Sequence, residues 1–142
     1  MDIVFHWDEE RSLCDILYRD VQLFAPEDIE AWRALLLAEL GNLWVQTNHR
    51  KFSIVVCIDG LQLDPEVGPE YSRFVLEIAQ RYCVAIARYG KRPMVRAVVA
   101  AEATRRVRGG ASATVARANI FDRREDAVDF VLASAARHAD DC

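Results

Sequence analysis

The carboxylates closest to the most apolar stretch of this chain belong to Asp59 and Asp64, which follow residues 52–58. Two carboxylates held close together can act as a general acid and a general base. An aspartate between a strand and a glycine is also a common turn residue, because its side chain accepts hydrogen bonds from nearby backbone N–H groups. The turn interpretation is the simpler one, and acid–base chemistry by this pair is the alternative.

Nucleophilic chemistry has two candidate groups, the thiol of Cys57 and the hydroxyl of Ser72. Either would need a base within hydrogen-bonding distance. Cys57 lies inside the apolar run, where a thiol packs as a small hydrophobic side chain. No motif places a base beside either group, so the sequence predicts no catalytic residue and a chain that is not an enzyme.

A metal site would need His, Cys, Asp or Glu side chains at short, regular spacing. The three histidines, His6, His49 and His138, fall in different predicted elements, and the four cysteines form no C-x-x-C pair. We therefore expect no metal, no cofactor and reduced structural thiols.

Basic residues are concentrated in one part of the chain. Residues 88–124 carry ten Lys or Arg against two Asp or Glu, whereas residues 1–87 carry seven against fifteen. The cluster Arg105, Arg106 and Arg108 predicts a surface that meets an acidic protein partner, or the acidic half of a second copy of the chain in a homodimer. Solvated helix faces and internal ion pairs are the alternative.

The same basic stretch could also bind a phosphate or a nucleic acid, but the sequence supports these two hypotheses less. Gly109 and Gly110 lie among the arginines and could hold a phosphate through backbone N–H groups, but they match neither the Walker pattern nor G-x-G-x-x-G. Few aromatic residues are interleaved with the basic ones, and the net charge is -4. We therefore expect no nucleic-acid binding.

Length and composition fit a single domain covering residues 1–142. The chain is 52% hydrophobic and 28% charged, as expected of a globular protein. The first ten residues carry acid where a signal peptide would carry base, which predicts a cytoplasmic protein. No apolar run approaches the roughly 20 residues of a membrane span, so no integral membrane segment is expected.

The first half of the chain predicts a hairpin, a helix and a central strand. Residues 2–7 and 13–18 are typical of two strands joined by a polar turn. Pro26 then opens a helix whose apolar residues recur at spacings of three and four. Residues 52–58 are apolar on both alternating faces, which indicates a strand buried on both sides.

The second half predicts three helices and two strands. A loop at 60–69 leads into a helix from Pro69 to about Tyr89, which Gly90 would end. Strand 93–100, a helix over 101–118 interrupted near Gly109, strand 118–121 and helix 123–136 follow. The fold class is therefore α/β, a mixed sheet that starts with an N-terminal hairpin and is covered by about four helices.

Three features of this order resemble the STAS superfamily and its SpoIIAA-like and SEC14-like relatives. They are the hairpin followed by Pro26-Glu27-Asp28 and a long helix, the strand ending in Ile58-Asp59-Gly60-Leu61, and the last strand and helix over residues 118–131. The resemblance spans nearly the whole chain. It implies a sandwich of helices on a mixed sheet and a regulatory module that acts by binding another protein.

The resemblance also implies a place for the contact. In anti-sigma-factor antagonists, the loop after the central strand carries a serine that is phosphorylated to switch partners. Here residues 64–72 hold a serine only at position 72, inside the predicted helix, so Ser72 is a weak candidate for phosphorylation. The predicted contact residues are Asp59, Asp64, Glu70, Tyr71, Ser72, Arg105, Arg106 and Arg108. The alternative, implied by SEC14-type relatives, is a small-molecule or lipid site in an apolar cleft beside Tyr71, Phe74 and Tyr82.

Overall fold

The computed structural model describes residues 1–110 and 119–141, with side chains up to Arg137. After an initial hairpin, helices and strands alternate, except that two strands follow each other after the first helix. The elements are β1 (Asp2–Asp8), β2 (Leu13–Leu23), α1 (Pro26–Gln46), β3 (Phe52–Cys57), β4 (Leu61–Leu63), a 3-10 turn (Pro65–Val67), α2 (Gly68–Tyr82), β5 (Cys83–Tyr89), α3 (Pro93–Arg108), β6 (Ile120–Phe121) and α4 (Arg124–Asp141).

The six strands form one mixed sheet in the order β1-β2-β3-β5-β6. β1 runs antiparallel to β2, and the other neighbours are parallel. The short strand β4 pairs with the end of β2, where Val21 lies opposite Leu61. The predicted α/β class is confirmed, with its hairpin and with four helices among the described residues.

Every residue of β3 is buried, as the apolar run predicts. Ile54 and Val56 belong to the larger core, which α1 and α2 also form. Val55 belongs to a second core with Leu13 and with Val128 of α4. Helices therefore cover both faces of the sheet, and β3 lies at its centre.

Helix α1 begins where the sequence predicts. Pro26 occupies the first turn, and Asp28 accepts hydrogen bonds from the backbone N–H groups of Phe24 and Ala25 at 2.9 and 3.0 Å. The predicted apolar stripe from Ile29 to Leu43 is buried, with Trp32 at 1% exposed, whereas Val45, which the sequence pattern adds to the stripe, is 66% exposed. The indole N–H of Trp32 donates to the hydroxyl of Tyr18 at 3.2 Å. This contact fixes α1 on the sheet.

Two predictions for residues 82–100 are wrong. The helix predicted to run to Tyr89 ends at Tyr82, and Cys83–Tyr89 is the strand β5. Residues 93–100, predicted as a strand, are the first half of helix α3. A short apolar run fits both the helical and the strand periodicity. Residues 83–89 form a strand because they pair with β3 and β6. Pro93 then suits the first turn of a helix, where its missing N–H costs nothing.

Burial of two thiols in this fold predicts a loss of stability in alkali. Burial raises the pKa of Cys14 and of Cys83 from 9.0 to about 12, with smaller contributions from Asp15 on Cys14 and from Cys14 on Cys83. Between about pH 9 and pH 12 the unfolded chain loses these protons while the folded chain keeps them. Each thiol should therefore lower the free energy of unfolding by about 1.4 kcal/mol per pH unit in that window.

Urea denaturation at a series of pH values checks this expectation. The Cys14→Ala variant should lose stability less steeply than the unmodified chain above about pH 9. Equal slopes for the two chains would contradict the proposed cause.

Candidate functional site

The carboxyl ends of the parallel strands meet at one edge of the sheet. The N–H of Ile58 donates to the carbonyl of Tyr89, and the N–H of Gly90 donates to that of Phe121, both at 3.0 Å. Ligands of α/β proteins bind outside this edge, because loops and helix N-termini converge there. The residues that directly follow these strands are therefore the first candidates for a functional site.

Asp59 and Asp64 anchor two different stretches of backbone at this edge. One oxygen of Asp59 accepts hydrogen bonds from the N–H groups of Lys91 and Arg92 at 2.8 and 3.1 Å. Asp64 accepts from the N–H of Glu66 at 2.9 Å and caps the 3-10 turn. Asp59 thus ties the end of β3 to the start of α3, and Asp64 fulfils the turn role that the sequence predicts.

Removing the Asp59 carboxylate should loosen the start of α3. We expect Asp59→Ala to lower the free energy of unfolding by about 1–3 kcal/mol, because two N–H groups lose their acceptor. Asp59→Asn keeps an acceptor oxygen and should cost clearly less. Urea denaturation of both variants checks the prediction, and equal losses for the two would show that the side-chain oxygen is not the cause.

An open groove lies beside this anchor, between β4 and the first half of α3. Its volume is about 370 Å³. Met94 in its lining is 82% exposed and Phe24 is 47% exposed. The lining residues are Phe24, Leu61, Gln62, Leu63, Asp64, Pro65, Arg92, Met94, Val95 and Val98. The groove is therefore mainly apolar, and its loop wall, residues 61–65, belongs to the stretch after β3 that the sequence predicts as a contact surface.

Charge differs between the two walls of the groove. Residues 88–108 carry seven basic residues and one acidic residue. Lys91 and Arg92 are exposed, and neither side chain forms an ion pair with a carboxylate of the described residues. Asp64 lines the opposite wall. Of these basic residues Arg92 lines the groove, and Lys91 directly precedes it, so the start of the helical wall carries base and the loop wall carries acid.

A second polar feature is a set of buried side chains from α2, α3 and β5. Ser72, Arg88, Glu102 and Arg106 are each at least nine-tenths buried. Arg106 donates to the hydroxyl of Ser72 at 2.9 Å, and this hydroxyl donates to the backbone carbonyl of Glu102 at 3.3 Å. The carboxylate of Glu102 pairs with Arg105 at 3.4 Å. We call these four residues the buried polar cluster.

Three charged groups of the buried polar cluster, Arg88, Glu102 and Arg106, are buried under unfavourable conditions. Burial lowers the pKa of Arg106 to about 10, and the nearby charge of Arg88 adds to the shift. Nη1 of Arg88 and Oε2 of Glu102 are buried without a hydrogen-bond partner among the described residues. Arg88 also lines a cavity of about 20 Å³ together with Tyr18 and Tyr71. Such groups are unusual in a folded core.

The predicted contact residues fall into two groups. Tyr71, Ser72 and Arg106 are buried, with exposures of 2%, 5% and 7%. The remaining five are exposed or partly exposed: Asp59, Asp64, Glu70, Arg105 and Arg108. Phosphorylation of Ser72 stays a prediction, and a kinase would reach the hydroxyl only after α2 and α3 separate.

Sequence reasoning missed the groove because it assigned residues 93–100 to a strand. In a strand, Met94 and Val98 would share a face but Val95 would not. In the helix they form one apolar stripe at the start of α3. Pro93 before this stripe was the signal for a helix start.

The phosphate motif predicted around Gly109 and Gly110 lies only partly within the described residues. Gly109 and Gly110 follow the end of α3, where Gly109 donates to the carbonyl of Arg105. Arg117, the last arginine of the phosphate motif, lies outside the described residues. Within residues 1–110 and 119–141, no group of three His, Cys, Asp or Glu is placed to hold a metal, and no helix is long and apolar enough to cross a bilayer.

Comparison with known proteins adds no identification. No protein-family model matches the chain, and no curated protein or solved structure is significantly similar to it. The resemblance to STAS domains therefore stays a prediction from the sequence.

Proposed function

We propose that this chain is a regulatory or adaptor module that binds a segment of a protein partner in the groove between β4 and α3. The observation that supports this most is the exposure of Met94, 82%, inside a concave, mainly apolar surface. A single exposed apolar side chain is ordinary, but several that line one groove are typical of a binding site.

The lining suits an apolar peptide. Leu61 and Leu63 form a firm floor, since they are 1% and 8% exposed, while Met94 and Phe24 are accessible at the rim. Methionine is flexible and polarizable, so it adapts to the side chain that it meets. Peptide recognition of this kind depends on one or two apolar anchors placed in a hydrophobic groove.

The partner segment should also carry acid. Arg92 lines the groove and Lys91 directly precedes it; both are exposed, and neither side chain forms an ion pair with a described carboxylate. Opposite charge across an interface speeds association and fixes orientation. An apolar segment flanked by Asp or Glu on the side that meets α3 is the partner that fits both features.

The small-molecule alternative has less support at its predicted place. Tyr71, Phe74 and Tyr82 are 2%, 2% and 3% exposed. Tyr71 and Phe74 both pack on Trp32, with ring centroids at 5.3 and 4.9 Å. These rings fill the core instead of lining an open cleft.

A displayed library of random peptides tests the proposal. The library is selected on the unmodified chain and then depleted on Met94→Glu, which places a charge in the groove. We expect the remaining peptides to share apolar residues next to Asp or Glu. Peptides that bind both chains equally, or a selection that enriches none, would contradict the proposal.

A further inference from the structure

Strand β1 forms one edge of the sheet and is paired on one side only. It runs antiparallel to β2 along its whole length, and β2 is its only strand neighbour in the described sheet. The strand at the opposite edge, β6, is two residues long, whereas β1 has seven residues. Among the described residues, β1 is therefore the long edge whose outward backbone N–H and C=O groups have no strand partner.

The free edge of β1 carries few of the features that prevent pairing. Proteins usually protect such an edge with lysine, proline or a bulge. β1 holds no lysine, proline or glycine, and its two carboxylates, those of Asp2 and Asp8, lie at its ends. The one irregularity in its pairing is an extra residue on the β2 side, Arg19, so β1 itself is regular. Another strand can therefore pair along the whole of β1.

The side chains of β1 alternate between two faces of the sheet. Ile3, Phe5 and Trp7 are partly buried and pack against the larger core. Val4 and His6 lie on the other face and are exposed, Val4 at 37%. A strand added outside β1 would cover the accessible parts of both rows and remove further apolar surface from water.

We propose that β1 pairs with β1 of a second copy of this chain, antiparallel and with the twofold axis at Val4. The two Val4 side chains then lie directly opposite each other. Ile3 meets Phe5 of the second copy, and pairs of an aromatic and a β-branched side chain stabilise sheets. Asp2 meets His6, whose imidazole is neutral or cationic and can donate a hydrogen bond to the carboxylate. The contact is self-complementary, because the twofold axis repeats each of these pairs.

The pattern of charges selects this register over its neighbours. An axis at Phe5 would place Asp2 opposite Asp8, and like charges directly opposite each other destabilise a strand pair. An axis one residue before Val4 or two residues after it would place an aspartate opposite that valine. The register centred on Val4 avoids both faults. Since β1 supplies both members of every favourable pair, a second copy of the chain is the partner that fits this edge.

Sedimentation equilibrium over a range of protein concentrations tests the proposed dimer. The mass of the unmodified chain should rise toward that of a dimer by about 100 µM, and Val4→Lys should weaken dimerisation at least about tenfold, because two lysines would meet at the axis. Val45→Lys replaces another exposed valine, on α1, and should leave dimerisation unchanged. A monomer at every concentration up to about 1 mM, or equal weakening by the two variants, would overturn the proposal.

Cysteine cross-linking tests the register in a chain whose Cys142 is replaced by serine. Val4→Cys places two thiols opposite each other, and facing residues of antiparallel strands lie about 4.5–5.5 Å apart at Cα, within the range of a disulfide. His6→Cys lies on the same face, but the two thiols would be four residues apart along the strands, about 14 Å. With oxidised glutathione as the oxidant, Val4→Cys should form a disulfide-linked dimer and His6→Cys should not. No dimer of Val4→Cys, or equal cross-linking of the two variants, would overturn the proposal.

Discussion

Replacing Gly60 by alanine is expected to lower the free energy of unfolding by at least about 2 kcal/mol. Gly60 lies between β3 and β4, where its backbone passes close to β2, and its carbonyl accepts a hydrogen bond from the N–H of Val21 at 3.0 Å. A Cβ atom at this position would lie 2.6 Å from the carbonyl oxygen of Arg19 and closer still to that of Tyr18. Backbone atoms cannot give way as a flexible side chain can, so β4 would have to move.

The chain offers a matched control in Gly41→Ala. Gly41 lies inside α1, and a Cβ atom there would meet nothing within 4 Å. Alanine is the better helix former by roughly 1 kcal/mol, so this variant should be more stable than the unmodified chain. Chemical denaturation measures both. A loss below about 0.5 kcal/mol for Gly60→Ala would contradict the close approach that positions β4 and the floor of the groove.

The second large effect concerns the groove itself. For a peptide selected on the unmodified chain, Met94→Glu should weaken binding by at least about 30-fold, near 2 kcal/mol. The variant buries a charge against the apolar part of the peptide and repels its acidic part. Its fold should be intact, because Met94 is largely exposed and a glutamate is favourable in the first turn of α3.

The control for this prediction is Val45→Glu. Val45 is also apolar and exposed, at 66%, but it lies near the end of α1 and does not line the groove. Isothermal titration calorimetry with the same peptide should give an affinity within about twofold of the unmodified chain, a difference of about 0.4 kcal/mol. Equal weakening by the two variants would mean that net charge and not the groove controls binding.

The central part of the fold could be predicted because local signals and burial agree there. Residues 52–58 are apolar on both faces, and β3 is buried on both faces. Pro26 and the stripe through Trp32 predict α1 for the same reason. The hairpin is confirmed, although β2 continues to Leu23 and not to residue 18. In these stretches tertiary contacts strengthen what the periodicity already indicates.

The region from Tyr82 to Val98 could not be predicted because local signals are ambiguous there. Cys83–Tyr89 continues the apolar spacing of α2, and only the parallel partner β3 makes it a strand. Because the strand was missed at residues 83–89, the next strand was predicted ten residues too late, at 93–100. These residues begin α3, so the sequence did not predict the groove that α3 lines. The burial of Arg88 was beyond sequence reasoning as well, because it depends on helices that meet only in the folded chain.

The most direct measurement of the proposed function is an NMR titration of the isotope-labelled chain with the selected peptide. The account predicts that the backbone amide signals of Leu61, Leu63, Met94, Val95 and Val98 shift most. Signals of the opposite face, along α4, should move little. Largest shifts on α4 or along the free edge of β1 would contradict the assignment of the binding surface to the groove between β4 and α3.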